Sequence, residues 1–407
     1  MTRTSWCARW LAVALTASSA ASMAAAPAPS LAEMVTTAAS HNSGMALAEA
    51  ERGVASALQS KAEQPFAGAP TANLKYQTDA VGSGTGYREW EGGIEVPLWL
   101  PGQSDAYARE AERTRSVSDT MQAAYRLQVS GDVRDRLWSA AIARSEAQQA
   151  HAALAAARTL LDDVQRRVGA GELPRSDRLL AEKAVLEREE AAQLADTRAG
   201  QLGERFRLYT GMPLPDQLPQ ETAAADVNLT PDHPQLRLSR DRVEQARARR
   251  DRVSKTRRSS PSVWLGGKSS QAVAGSGYDS AVGIELSVPF GGSAHTAPEL
   301  ATAEAELTRA QVDHANAQRA VEDELAQAKL ELERAKAAVG QTQRRRDLAE
   351  QSLTLSQRAF ALGETDLIRL LQVQADALAA RHDLDIRELE RDRAVSRLNQ
   401  ALGVTPQ

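Results

Sequence analysis

The sequence is written twice. Sliding it on itself by 190 to 192 positions sets Pro70 on Pro261, Gly86-Tyr87 on Gly277-Tyr278 and Val96-Pro97 on Val288-Pro289. Further along, Gly171-Glu172 falls on Gly363-Glu364, Leu186 on Leu378 and Gly211 on Gly403. Helical stretches rich in Ala, Arg and Glu match one another by chance, but glycine and proline punctuation does not readily recur in the same order. A duplicated unit is the simplest source of this pattern, with a first repeat over 27–219 and a second over 220–407.

Each repeat follows one plan. A helical stretch (31–64; 235–257) leads into two short strands joined by a glycine-rich turn, DAVGSGTG at 79–86 and AVAGSG at 272–277. Glycine accepts the positive φ that such hairpin turns require. The strand pairs fall within about 70–100 and 261–290. A long proline-free segment follows each pair, over 102–173 and 299–404. Proline breaks helix interiors, so its absence permits very long helices, and a helix of about 60 residues reaches roughly 90 Å. Each segment is interrupted once, at GAGELPRSD (169–177) and ALGETDLIR (361–369). There Gly171 and Gly363 suit the position just past a helix C-terminus, and Asp177 or Thr365 suits the start of the next helix. These interruptions are expected to be the tips of helical hairpins.

Composition agrees with an elongated helical molecule. Of 407 residues, 42% are hydrophobic and 25% charged, which excludes disorder, while only 4% are aromatic, low for a compact core. Residues 1–26 read as a signal peptide: Arg3 and Arg9 precede an apolar run from Trp10 to Ala17, then small residues offer cleavage sites. Cleavage removes two arginines and moves the formal charge from −4 to −6. It also removes Cys7, the only cysteine, so the mature chain has neither disulfide nor thiolate metal site. No later segment carries the long apolar run of a membrane helix. A membrane-spanning version of this chain must use strands.

The strands have two different faces. In the second strand of each hairpin Trp90, Ile94, Val96 and Leu98, then Val282, Ile284, Leu286 and Val288, occupy even positions; Glu89, Glu91, Glu95 and Glu285 occupy odd ones. Leu74 and Tyr76 alternate with Asn73, Lys75 and Gln77 in the first strand. The period of two gives a greasy face and an acidic face. Strands of about ten residues suit a tilted crossing of a hydrocarbon core, with Trp90, Trp99 and Trp264 at its interfaces. A soluble sandwich with one wet face has the same alternation, but four strands are too few to cover both sheet edges. In lipid the edges must be closed, and closure with so few strands demands several copies of the chain.

With these features in view, the chain resembles the TolC-like outer-membrane efflux proteins of Gram-negative bacteria. The resemblance covers essentially the whole mature chain. It rests on the doubled plan, on HPQLRLSRDRVEQARARR at 233–250 leading towards Pro261, on the strand ends EVPLWLPGQ and LSVPFGG, and on the glycine-led tips. It implies a mainly α protein with a membrane β portion, in which a homotrimer closes a 12-stranded barrel in the outer membrane above a long α-helical periplasmic barrel. Its implied partners are outer-membrane lipid, a periplasmic adaptor protein and an inner-membrane pump. The implied tip residues are Gly171, Glu172, Asp177, Gly363, Glu364, Asp366 and Arg369. The family places an acid six residues after the tip glycine. Asp177 fits, whereas Arg369 departs, as does Gln372 where a second acid is usual. Opposite charges at Asp177 and Arg369 are expected to help hold the aperture shut, the bland reading being two solvated helix-end charges. The short mature chain points weakly to the heavy-metal-cation branch.

Other features carry less. The basic run at 247–258 reads as a solvated helix face near lipid phosphates, and export argues against nucleic acid. The GSGTG at 82–86 joins two strands and opens no helix, so it is no phosphate loop. The six histidines lack metal-ligand spacing, and no cofactor motif, nucleophile elbow or catalytic carboxylate pair is visible, so no enzyme is expected. Glu89, Glu91, Glu95 and Glu285 are candidates for a cation-favouring lumen, or are simply hydrated there. The leading expectation is a passive efflux duct. A type I protein-secretion exit shares the fold, and a periplasmic coiled-coil adaptor is the alternative from a different class.

Overall fold

The computed structural model describes residues 29–41, 43–256, 259–290 and 293–406; the expected signal peptide over 1–26, with Cys7, lies outside the described residues. The elements run α1 Leu31–Ser40, α2 Ser43–Ala62, β1 Thr71–Thr78, β2 Arg88–Pro97, α3 Gln103–Gly169, α4 Arg175–Thr210, α5 Pro234–Lys255, β3 Ser262–Gln271, β4 Asp279–Ser287, α6 Ser293–Ala361 and α7 Leu367–Ala401. At the repeat spacing α2 matches α5, β1 and β2 match β3 and β4, and α3 and α4 match α6 and α7. Helix α1 has no counterpart, because the matching residues lie in the irregular linker 211–233.

Two expectations about boundaries are corrected. The stretch 31–64 is two helices, not one: Ser40 donates its hydroxyl to Thr37 O (2.7 Å) while His41 N turns back to Ala38 O (3.3 Å). Such local side-chain bonds compete with helix continuation. Helix α6 begins at Ser293, upstream of Pro298, which it contains. A proline this near the N-terminus forfeits one early hydrogen bond rather than breaking the helix interior.

α3 and α6, at 67 and 69 residues, are each about 100 Å long by helical rise. Duplicated glycines end the long helices in the same way. Gly171, Gly363 and Gly403 have φ of 79°, 74° and 77°. At each the next amide reaches back over the helix end: Glu172 N to Arg167 O (2.9 Å), Glu364 N to Ala359 O (2.8 Å), Val404 N to Asn399 O (2.9 Å). This is the left-handed closure that glycine adopts without steric cost.

Apolar clusters are strung along the helices instead of forming one central core. Met34, Val35, Val133, Leu137 and Phe206 join α1, α3 and α4; Leu325, Leu332, Ala394 and Leu398 join α6 and α7. Between them the repeats are tied by buried polar contacts. Arg134 grips Glu221 with two bonds (Nε–Oε2 3.0 Å, Nη2–Oε1 2.6 Å) and reaches Gln400 Oε1 (2.7 Å) and Val404 O (3.1 Å). Beside it the Trp138 indole donates to Ser396 Oγ (2.9 Å). The interrepeat linker, α3 and the end of α7 are thereby held together.

Candidate functional site: a two-faced sheet and paired helix tips

The four strands form one antiparallel sheet in the order β1-β2-β3-β4, so β1 and β4 are its edges. Register fixes the faces. Ala72, Ile94, Leu265 and Ile284 lie in one row, and Leu74, Gly92, Gly267 and Val282 in another. Both rows belong to an apolar face that is open in the single chain, with Leu74 77% and Val282 91% exposed. Tyr76 and Trp90 stack on the same face, centroids 4.4 Å apart. Strand side chains alternate between faces, so the residues between these belong to the opposite surface.

That opposite face carries the predicted carboxylates and two cations. Its rows are Thr71, Glu95, Trp264, Glu285; Asn73, Gly93, Gly266, Gly283; Lys75, Glu91, Lys268, Ala281; and Gln77, Glu89, Ser270, Asp279. Glu89, Glu91, Glu95 and Glu285 therefore share one surface, as the alternation predicts. Lys75 pairs with Glu91 at 3.7 Å, Ser262 donates to Glu95 at 2.6 Å, and Tyr87 donates to Glu89 at 2.6 Å. The face is mixed, not purely acidic. Lys75 was visible in the alternation, but Lys268 joins Glu91 only through the cross-strand register.

Trp264 does not sit in an interfacial girdle with Trp90. It lies on the carboxylate face, over the glycine row: a Cβ at Gly93 would stand 2.5 Å from its Nε1, and one at Gly283 3.7 Å from its Cζ3. Trp99 lies below the sheet, donating Nε1–H to Gln64 O (2.9 Å) at the junction of α2 and α3.

At the far end of β1 the turn is organised by Asp79. Its carboxylate accepts from Thr85 Oγ1 (2.6 Å), Ser83 Oγ (2.8 Å), Thr85 N (2.7 Å) and Gly86 N (3.1 Å). The Thr85 hydroxyl bond, aided by the others, holds its pKa down to about 2.

At the other extreme the two helical hairpins bring their tips side by side. Val164, Ala181, Phe360, Leu367 and Leu370, from α3, α4, α6 and α7, share one apolar cluster. The loops bearing Gly171, Glu172, Gly363 and Glu364 emerge next to it, exposed. The expected starter residues differ. Helix α4 begins after Pro174 without a side-chain cap, leaving half-buried Asp177 in its first turn. Helix α7 is capped by Asp366, not Thr365, with the carboxylate accepting Arg369 N at 2.7 Å. Arg369 is exposed, and no ion pair joins it to Asp177 within one chain among the described residues.

Among the described residues no group of three His, Cys, Asp or Glu is arranged to hold a metal, and no helix is long and apolar enough to cross a membrane.

No protein-family model matches the sequence, and no curated protein is similar to it in sequence. Solved structures do match. The chain superposes on the CmeC outer membrane channel of Campylobacter jejuni with a TM-score of 0.73 at 12% identity, covering 93% of this chain and 87% of that one. The outer membrane protein VceC of Vibrio cholerae gives 0.71 at 16% identity, covering 92% and 96%. The open state of the MtrE outer membrane channel of Neisseria gonorrhoeae gives 0.72 at 17%, covering 93% and 90%. The fold is thus that of the TolC-like channels. The near-equal scores do not single out the heavy-metal-cation branch.

Proposed function

We propose that this chain is the outer-membrane duct of a tripartite efflux system. The observation that carries the reading is the sheet. It has a wide exposed apolar face, a charged opposite face and two unpaired edges, and it stands on helices about 100 Å long. In water the apolar face would be costly, and in lipid an open edge would be costlier. Three copies joining β4 to β1 remove both problems: the apolar face meets hydrocarbon, and Glu89, Glu91, Glu95 and Glu285 line a hydrated lumen. The membrane-facing strands and periplasmic helices then form one passive conduit whose energy comes from an inner-membrane pump.

The helix tips form the pump-side end in this reading. Between α4 and α7 near the tips runs a groove of about 520 Å3 with an apolar floor that includes Leu180, Ile368, Leu371 and Leu378 and a polar rim that includes Lys183, Glu187 and Arg188. It is suited to a helical hairpin of a periplasmic adaptor. A soluble adaptor would have no use for a sheet with an exposed greasy face, which favours the duct over that alternative.

Heat-modifiable trimers in outer-membrane fractions, forming pores in planar bilayers, are the expected result. A soluble periplasmic monomer would overturn the reading. Neighbouring genes for a pump and adaptor, rather than for a secreted protein and its exporter, separate efflux from type I secretion.

A further inference from the structure

We infer that Trp264, Glu95 and Glu285 form a cradle for an organic cation on the wall of the lumen, an inference that rests on the duct reading above. The indole lies across the glycine row Gly93, Gly266, Gly283: a Cβ at Gly93 would fall 2.5 Å from both Cε2 and Nε1, and one at Gly266 would collide with the ring edge. One ring face is therefore bedded on bare backbone, which only glycine permits. Trp264 also borders a groove of about 400 Å3 that it shares with Glu95, Ser262 and Glu285, and with the Lys75–Glu91 pair.

The strand register sets a carboxylate on each side of the ring. Glu95 of β2 and Glu285 of β4 are the direct cross-strand partners of Trp264, a relation that places Cβ atoms about 5 Å apart. Glu95 is steered by the Ser262 hydroxyl at 2.6 Å. Lys75 lines the same groove but is paired with Glu91 at 3.7 Å, in the row it shares with Lys268, two rows from the row of Trp264 itself. The row around the indole is thus negative on both flanks and offers a π face between them.

That combination selects by chemistry. A small hydrated metal ion gains nothing from an indole, and a neutral aromatic gains nothing from the carboxylates. A quaternary or aromatic ammonium uses both, through cation–π attraction and charge pairing. Each copy of the chain supplies one such cradle.

The test uses trimers of the full mature chain in planar bilayers, with benzyltrimethylammonium as probe and benzenesulfonate and benzyl alcohol as the anionic and neutral controls. Benzyltrimethylammonium is expected to cause a saturable fall in current that the controls do not. Trp264→Ala should weaken it about tenfold. Trp264→Phe should keep part of it, and Glu95→Gln with Glu285→Gln should weaken it while leaving the pore conducting. Block by the neutral control as strong as by the cation, or block unchanged in Trp264→Ala, overturns the cradle. A wild-type pore indifferent to the cation overturns the cradle alone, whereas a wild type that forms no pore overturns the duct reading beneath it.

Discussion

The Arg167 guanidinium, in the last turn of α3, lies 4.8 Å from the centre of the Phe360 ring in the last turn of α6. It also reaches the Phe360 carbonyl at 3.5 Å and pairs with Asp163 at 3.2 Å. One side chain thus clamps the tip of the first repeat to the tip of the second. Cation–π contacts of this kind are worth about 1 kcal/mol. Arg167→Ala should therefore loosen the tips with little loss of global stability. If the tips close the duct, single-channel conductance rises. Asp177→Ala and Arg369→Ala should act in the same direction, through pairing between subunits. Conductances equal to wild type in all three would remove the tips from the gate.

The charges of the sheet predict a graded ion preference. Register puts Glu89, Glu91, Glu95, Glu285 and Asp279 on one face with Lys75 and Lys268, so five carboxylates against two ammonium groups leave an excess of three per chain. Reversal potentials in a KCl gradient should show a cation preference. It should shrink when the four glutamates become Gln and grow when Lys75 and Lys268 become Gln. A preference untouched by either set would place the selective region elsewhere.

Much of this arrangement was legible in the sequence. The duplicated glycines mark the hairpin tips because glycine enters the left-handed region without steric cost, and the duplicated prolines mark strand ends because proline has no N–H to give the ladder. The alternation in β2 and β4 separates Ile94 and Ile284 from Glu95 and Glu285 without any structure. Strand β3 was harder. SVWLGGKSSQ has apolar residues on both parities, Val263 and Leu265 against Trp264, so its face is decided only by pairing with β2. Pairing with β2 sets Trp264 on the carboxylate face beside Glu95, away from the girdle the sequence suggests, and sets Lys268 beside Glu91. The helix starts at the tips are hard to read for a related reason: Ser176, Asp177, Thr365 and Asp366 all offer caps, yet α4 starts after Pro174 with no side-chain cap and α7 uses Asp366.

The buried pair Arg134 and Glu221 predicts an asymmetric response. Their side chains are only 3% and 14% exposed, and Arg134 also holds Gln400 and the Val404 carbonyl. Removing one partner strands the other's charge, at a cost of about 3–5 kcal/mol. Glu221→Ala should lower the thermal midpoint of the protein markedly. The double variant Arg134→Met, Glu221→Leu should recover much of the loss. Equal stability of wild type and Glu221→Ala would show that the linker is not held by this pair.

The turn after β1 should respond to acid. The Asp79 carboxyl is lowered from 3.8 to about 2 by its bonds to Thr85, Ser83 and Gly86. A depressed folded-state pKa contributes stability that is complete above the unfolded value and is lost as pH falls through the folded one. Amide hydrogen exchange at Thr85 and Gly86, corrected for intrinsic rates, should be constant down to about pH 4 and lose protection towards pH 2. In Asp79→Ala that protection should be absent at every pH. Protection independent of pH in the wild type would contradict the role given to this carboxylate.

Three copies are expected to close their sheets through the free edges β1 and β4. In a Cys7→Ser background, paired cysteines at Asn73 of β1 and successively at Ala281, Gly283 or Glu285 of β4 report that contact directly by disulfide formation in outer-membrane fractions. Closure predicts covalent species that stop at the trimer for at least one pairing. Chains that stay monomeric in the membrane at every pairing would contradict it.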